Sequence, residues 1–240
     1  MHRAFVVAAL LLLGACVSAQ AGTGPCKPDP SEDLVCGEGA GAARVIAGTT
    51  SPSKEMAFAW RSPGRAPVEE ATDEELESVL VWLGNGKPLA ISPGDYWAIG
   101  PMRANRYDFH AIWSPNSRFV IELVDFRWST VAMRLHALPE RGAHPVLSLD
   151  LKSVMEFAVR KELRKTVKDE RYAFEIEGDN SGDPPKLSID NNGLIKARVQ
   201  MQVAKEEDPH IFVDVVFQVR LRDGALEARP VSIKKSKAKS

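Results

Sequence analysis

Between Arg44 and Leu149 the chain alternates short apolar runs with turn residues, and the runs are too brief for helices. Ala43 to Gly48, Met56 to Arg61, Val79 to Leu83, Phe109 to Trp113, Phe119 to Val124 and Val131 to Ala137 each read as an antiparallel strand bounded by Gly, Pro, Asn or Ser. Ser62 to Glu77, with its prolines and crowded carboxylates, reads as an exposed excursion between two of them. The period then changes. Asp150 is a helix cap, and Leu151, Val154, Met155, Ala158, Val159, Leu163 and Val167 recur at helical spacing opposite Lys152, Arg160, Lys161, Arg164, Lys165 and Lys168. Such a stripe next to strands packs on them, although so basic a helix also has a membrane-surface reading.

The cleanest alternation is C-terminal. Ala197, Val199, Met201 and Val203 share one face, as do Ile211, Val213, Val215, Phe217, Val219 and Leu221, and Asp223-Gly224 turns the chain into a last strand from Ala225 to about Ile233. The expected fold is therefore α+β and mainly antiparallel β: residues 43–149 form a β-meander region, and residues 150–240 form a helix followed by a three-stranded sheet.

The N-terminus follows another logic. Met1-His2-Arg3 precedes the apolar run Ala4 to Leu13, which is too short to span a bilayer and reads as a secretory signal peptide over residues 1–21. Ala19-Gln20-Ala21 suits ordinary signal-peptidase cleavage, so that the mature chain starts at Gly22. Leu13-Gly14-Ala15-Cys16 resembles a lipoprotein box, in which Cys16 would carry a lipid anchor and the protein would sit on the outer membrane. Either scheme implies a periplasmic or secreted product without a transmembrane segment. It also removes Cys16 from the thiol count, leaving Cys26 and Cys36 to pair in an oxidising compartment. Residues 22–42, rich in Gly, Pro and Ala, read as a linker pinned by that disulfide loop.

An internal echo runs through the meander region. Ser51-Pro52-Ser53-Lys54-Glu55-Met56 aligns with Ser114-Pro115-Asn116-Ser117-Arg118-Phe119: a Ser-Pro turn, a short polar residue, a charge and an apolar strand. Ile112-Trp113-Ser114-Pro115-Asn116-Ser117-Arg118-Phe119 resembles the repeats of TolB-type and prolyl-oligopeptidase-type β-propellers, which run roughly W-S-P-D-S-R before an apolar strand. Here Asn116 stands for the Asp, and the first copy lacks the Trp. The resemblance implies two blade-like meanders. Because propellers close with about four to eight blades, it does not imply a closed propeller.

Lys plus Arg (31) balances Asp plus Glu (32), giving a net charge of −1. That excludes the overall field of a nucleic-acid binder. The lysines at 234, 235, 237 and 239 read as a solvated end. The sequence contains no nucleophile elbow, no H-E-x-x-H and no phosphate loop. His136, His144 and His210 read as surface or turn residues. Asp179-Asn180-Ser181-Gly182-Asp183 begins like a calcium loop, but Pro184 occupies the required glycine position and Asp190 the place of the bidentate Glu. No metal or cofactor is expected.

One stretch stands out. Tyr96 to Trp128 holds Tyr96, Trp97, Tyr107, Phe109, Trp113, Phe119, Phe126 and Trp128 interleaved with Arg103, Arg106, His110, Arg118 and Arg127. It reads either as a filled β core or as a groove with aromatic area and directed charge. On the second reading the binding residues are Trp97, Arg103, Tyr107, His110 and Arg127, with Trp113 kept for packing. The partner would be another envelope protein or a cell-wall or sugar ligand, and the function non-catalytic binding. The alternative is a periplasmic hydrolase using Asp108 and His110, which are two apart and so on one strand face.

Overall fold

The computed structural model describes residues 24–39, 41–62, 76–93, 108–126, 129–138, 145–164, 172–178, 184–203 and 210–236. Fifteen strands and one helix are defined among them, in three antiparallel sheets. The first sheet runs in chain order through β1 (Cys26–Pro28), β2 (Leu34–Cys36), β3 (Ala43–Val45), β4 (Met56–Arg61), β5 (Glu77–Trp82) and β6 (Lys87–Pro93). The second contains β7 (Asp108–Trp113), β8 (Phe119–Phe126), β9 (Ser129–Ala137) and β10 (Leu147–Asp150). Helix α1 (Leu151–Leu163) follows at once. The third sheet joins β11 (Tyr172–Ile176) and β12 (Leu187–Ile189), both paired with β13 (Leu194–Val203), to β14 (His210–Arg222) and β15 (Ala225–Ser236). Among the described residues the fold is mainly antiparallel β with one helix, and none of the three sheets closes into a barrel.

Alternation along the second sheet explains the layering. Val120, Val124, Ala132 and Phe109 point one way and pack against Ile46, Phe58, Trp60 and Leu80 of the first sheet. Ile121, Leu123, Met133 and Leu135 point the other way, onto a core shared with the helix (Leu151, Met155, Val159, Leu163) and the third sheet (Phe174, Val199, Val213, Phe217). The second sheet is thus the middle layer, buried on both faces, as its near-continuous apolar β8 requires. The helix's apolar stripe is spent on this core, so the packing reading applies to it and not the membrane-surface one; Val167 lies outside the described residues.

The 22–42 segment differs from the linker expected of it. Cys26 and Cys36 are direct cross-strand partners joined by a disulfide, and β2 extends the sheet onto β3. The backbone N–H of Cys26 also donates to the Leu83 carbonyl at 3.0 Å, which curls the sheet back on itself. The approach is so close that a Cβ on Gly86 (φ +65°) would lie 2.1 Å from the Gly24 carbonyl oxygen. Inside the curl sits a small core of Cys36, Ala43, Ala59, Val79 and Val81, with Cys26 packed beside it. Three-residue strands in a Pro-rich, acidic context have no readable period, yet Arg44 anchors them by pairing with Asp29 and Asp33.

The two Ser-Pro turns have the same hydrogen bonds. Ser51 N–H donates to the Met56 carbonyl and its Oγ accepts from Met56 N–H; Ser114 does the same with Phe119. Lys54 and Ser117, at equivalent places, both have φ of +59°. A third turn, absent from the Ser-Pro pattern, is built on an aspartate. Asp190 N–H donates to the Leu194 carbonyl, its Oδ1 accepts from Leu194 N–H, and Gly193 takes the positive φ. One such turn lies in each sheet, between β3 and β4, β7 and β8, and β12 and β13, and the turns touch in series. Ser53 N–H donates to Ser117 Oγ (3.0 Å), and Asn116 N–H donates to Asn191 Oδ1 (2.8 Å).

Candidate functional site

A carboxylate lies in the mainly apolar interface between the first and second sheets. Glu122 sits between Val120 and Val124 on β8, facing the first sheet, and is fully buried. A lone carboxylate there would be prohibitively costly, and partners from two other strands, β9 and β6, offset that cost. Arg134 Nη1 donates to Oε1 at 2.9 Å, and His136 Nε2 meets Oε2 at 3.2 Å. Ser92 Oγ reaches across from β6 to lie 3.1 Å from both oxygens.

Register assembles the group. Glu122 is the direct partner of Arg134, and His136 is the direct partner of Ser148 on β10, so four side chains form two adjacent rungs across β8, β9 and β10. His136 Nδ1 is 2.8 Å from Ser148 Oγ. The carboxylate, already paired with Arg134, can only accept. Nε2 therefore carries a hydrogen, and in the neutral imidazole Nδ1 then presents its lone pair and the Ser148 hydroxyl donates to it. His136 is 2% exposed and its ring lies 5.9 Å from that of Phe58, whereas Ser148 on the edge strand is exposed. This corrects the surface reading of His136.

Of the residues expected to bind, Trp97, Arg103, Tyr107 and Arg127 lie outside the described residues. His110 is half-buried on β7 opposite Leu123, and Asp108 is exposed opposite Asp125. Both are on the sheet face away from the Glu122 cluster, since the alternating residues Phe109 and Ala111 pack toward the first sheet. Within the aromatic stretch the described members split as follows. Phe109 is buried, and Trp113 is a half-buried packing residue whose Nε1 donates to the Thr49 carbonyl at 2.9 Å.

The helix start next to Ser148 is also polar. Asp150 caps α1 by accepting from Ser153 N–H (3.1 Å) and Ser153 Oγ (2.6 Å). Burial alone would raise its carboxyl pKa. The Ser153 hydrogen bonds, with the charges of Arg134 and Lys152 nearby, outweigh that and hold it below the ordinary 3.8. Among the described residues no group of three His, Cys, Asp or Glu side chains is placed to hold a metal ion, and no helix is long and apolar enough to cross a membrane.

The Glu122 cluster left one trace in the sequence: a single acid inside the apolar run Phe119 to Val124. Compared with known proteins, the chain matches no family model, no curated protein and no solved structure.

Proposed function

We propose that this is an exported protein of the bacterial envelope, periplasmic or secreted, that works as a binding module through its aromatic and Arg-rich stretch. The observation that carries the reading is a juxtaposition of strand ends. Asp108, which follows Tyr107, pairs with Asp125, two residues before Arg127, and Phe126 pairs with Ser129 directly beyond. These described strand ends lie together at one end of the middle sheet; Tyr107 and Arg127 flank them in the sequence, as Trp97 and Arg103 follow Pro93, the last residue of β6. Aromatic area with directed positive charge suits a partner of mixed polarity, either another envelope protein or a wall or sugar ligand.

Export is supported by the basic, apolar and small-residue run of the N-terminus and by the Cys26–Cys36 disulfide, which fits an oxidising compartment. We take the two meanders of residues 43–149 as relatives of propeller blades, a reading that rests on their matching Ser-Pro turns. Photocrosslinkers placed in turn at Trp97, Tyr107 and His110 in the exported protein test the function. A discrete captured species supports the module, and none from any of the three positions would remove its basis.

A further inference from the structure

An exposed serine on an edge strand ordinarily donates its hydroxyl hydrogen to water. Ser148 is hydrogen-bonded instead to a buried imidazole whose other nitrogen is committed to a carboxylate. The chain Ser148 Oγ, His136 Nδ1, His136 Nε2, Glu122 Oε2 runs from solvent to a fully buried anion over 2.8 Å and 3.2 Å. Arg134 takes the other carboxylate oxygen and Ser92 bridges both, so Glu122 cannot turn away from the ring.

These are the relations that make a serine nucleophilic: a hydroxyl within reach of a base, and the base fixed in tautomer and orientation by a third group. The ring is inverted relative to the familiar serine-hydrolase arrangement, with Nδ1 toward the serine. Either nitrogen can accept the proton, because the carboxylate stabilises the imidazolium through the opposite one. We propose that Ser148 is an activated nucleophile that accepts acyl groups from small esters, with His136 as its general base and Glu122 as a positioning residue. The reading is independent of the binding module and concerns the other face of the middle sheet from His110.

In the step, Ser148 Oγ bonds to the acyl carbon while the bond to the ester's alkoxide oxygen breaks. The hydroxyl proton passes to His136 Nδ1 and from there to the departing alkoxide. Attack of water on the acyl-serine by the same route returns the free hydroxyl and a carboxylic acid. A fluorophosphonate follows the first half only: the Ser148 oxygen bonds to phosphorus, fluoride leaves, and the proton goes to His136.

The test uses the purified exported protein and an alkyl fluorophosphonate, read by intact mass and peptide mapping. The expected result is one adduct, on Ser148, abolished by Ser148→Ala and slowed by roughly a hundredfold or more in a folded His136→Gln variant, the lower range of what general-base assistance contributes. Should His136→Gln fail to fold, the pH profile of wild-type labelling decides, because base assistance makes the rate rise with pH and then level once the base is unprotonated. Absence of a Ser148 adduct, labelling at an undiminished rate in folded His136→Gln, or a profile without that inflection would each overturn the proposal and leave the cluster as an intersheet tie alone.

Discussion

Ser53 and Ser117 are 64 positions apart, yet the backbone N–H of the first donates to the hydroxyl oxygen of the second at 3.0 Å. The bond ties the Ser-Pro turn of the first sheet to that of the second, as Asn116 and Asn191 tie the second sheet's turn to the third's. Ser117→Ala removes the acceptor without touching the apolar layers. It is expected to lower stability by about 1 kcal/mol, the net worth of one such bond, and Asn191→Ala by a similar amount. Chemical denaturation of the two single variants and the double variant checks both values. The effects should add, since the two bonds have no partner in common.

The buried carboxylate is a stronger constraint. Glu122→Ala leaves Arg134 and His136 facing an apolar interface without their anion, and should cost about 3–5 kcal/mol, as breaking a buried ion pair does. Ser92→Ala, which removes only the donor from β6, should cost about 1–2 kcal/mol. A Glu122→Ala variant as stable as the wild type, judged by urea midpoint, would show that the cluster does not hold the sheets.

Reduction of Cys26–Cys36 frees the hairpin that curls over the small core of Ala59, Val79 and Val81. For a loop with a sequence separation of 10 the chain-entropy estimate is about 3 kcal/mol. Thermal unfolding with and without reductant should show a loss of that order. Thiol labelling of the unreduced protein should find neither cysteine reactive.

Asp150 makes the helix start sensitive to acid. Its carboxyl is more acidic in the folded chain than the ordinary 3.8, so the stabilisation is fully present above that value and is lost as pH falls below it toward the depressed folded pKa. Asp150→Ala, which removes the cap, should destabilise by about 1 kcal/mol at neutral pH. The gap between the two proteins should close below about pH 3.8, and thermal melts across pH 2 to 7 follow it.

Where period and burial agree, the fold was legible in the sequence. Met56 to Arg61 is strand β4 as bounded, the helix starts at Asp150, and the alternation in 197–203 and 211–221 marks the third sheet. The strand at Lys87–Pro93 escaped because Pro88 and a register shift near Leu80 and Val81 break its alternation. β11 and β12 escaped because two short pieces share one neighbour. Asp190 to Gly193 has no Ser-Pro signature, and only its hydrogen bonds show an aspartate doing what a serine does in the other two turns. The Glu122, His136 and Ser148 cluster depends on cross-strand register, which residue spacing does not carry.

The binding module makes its sharpest demand at Arg103 and Arg127. With a photocrosslinker at Trp97, Arg103→Ala with Arg127→Ala should abolish capture while moving the thermal midpoint by no more than a few degrees, since exposed substitutions alter stability by about 0.5 kcal/mol or less. Undiminished capture by the double variant, or its unfolding, would contradict the account and return the segment to the core.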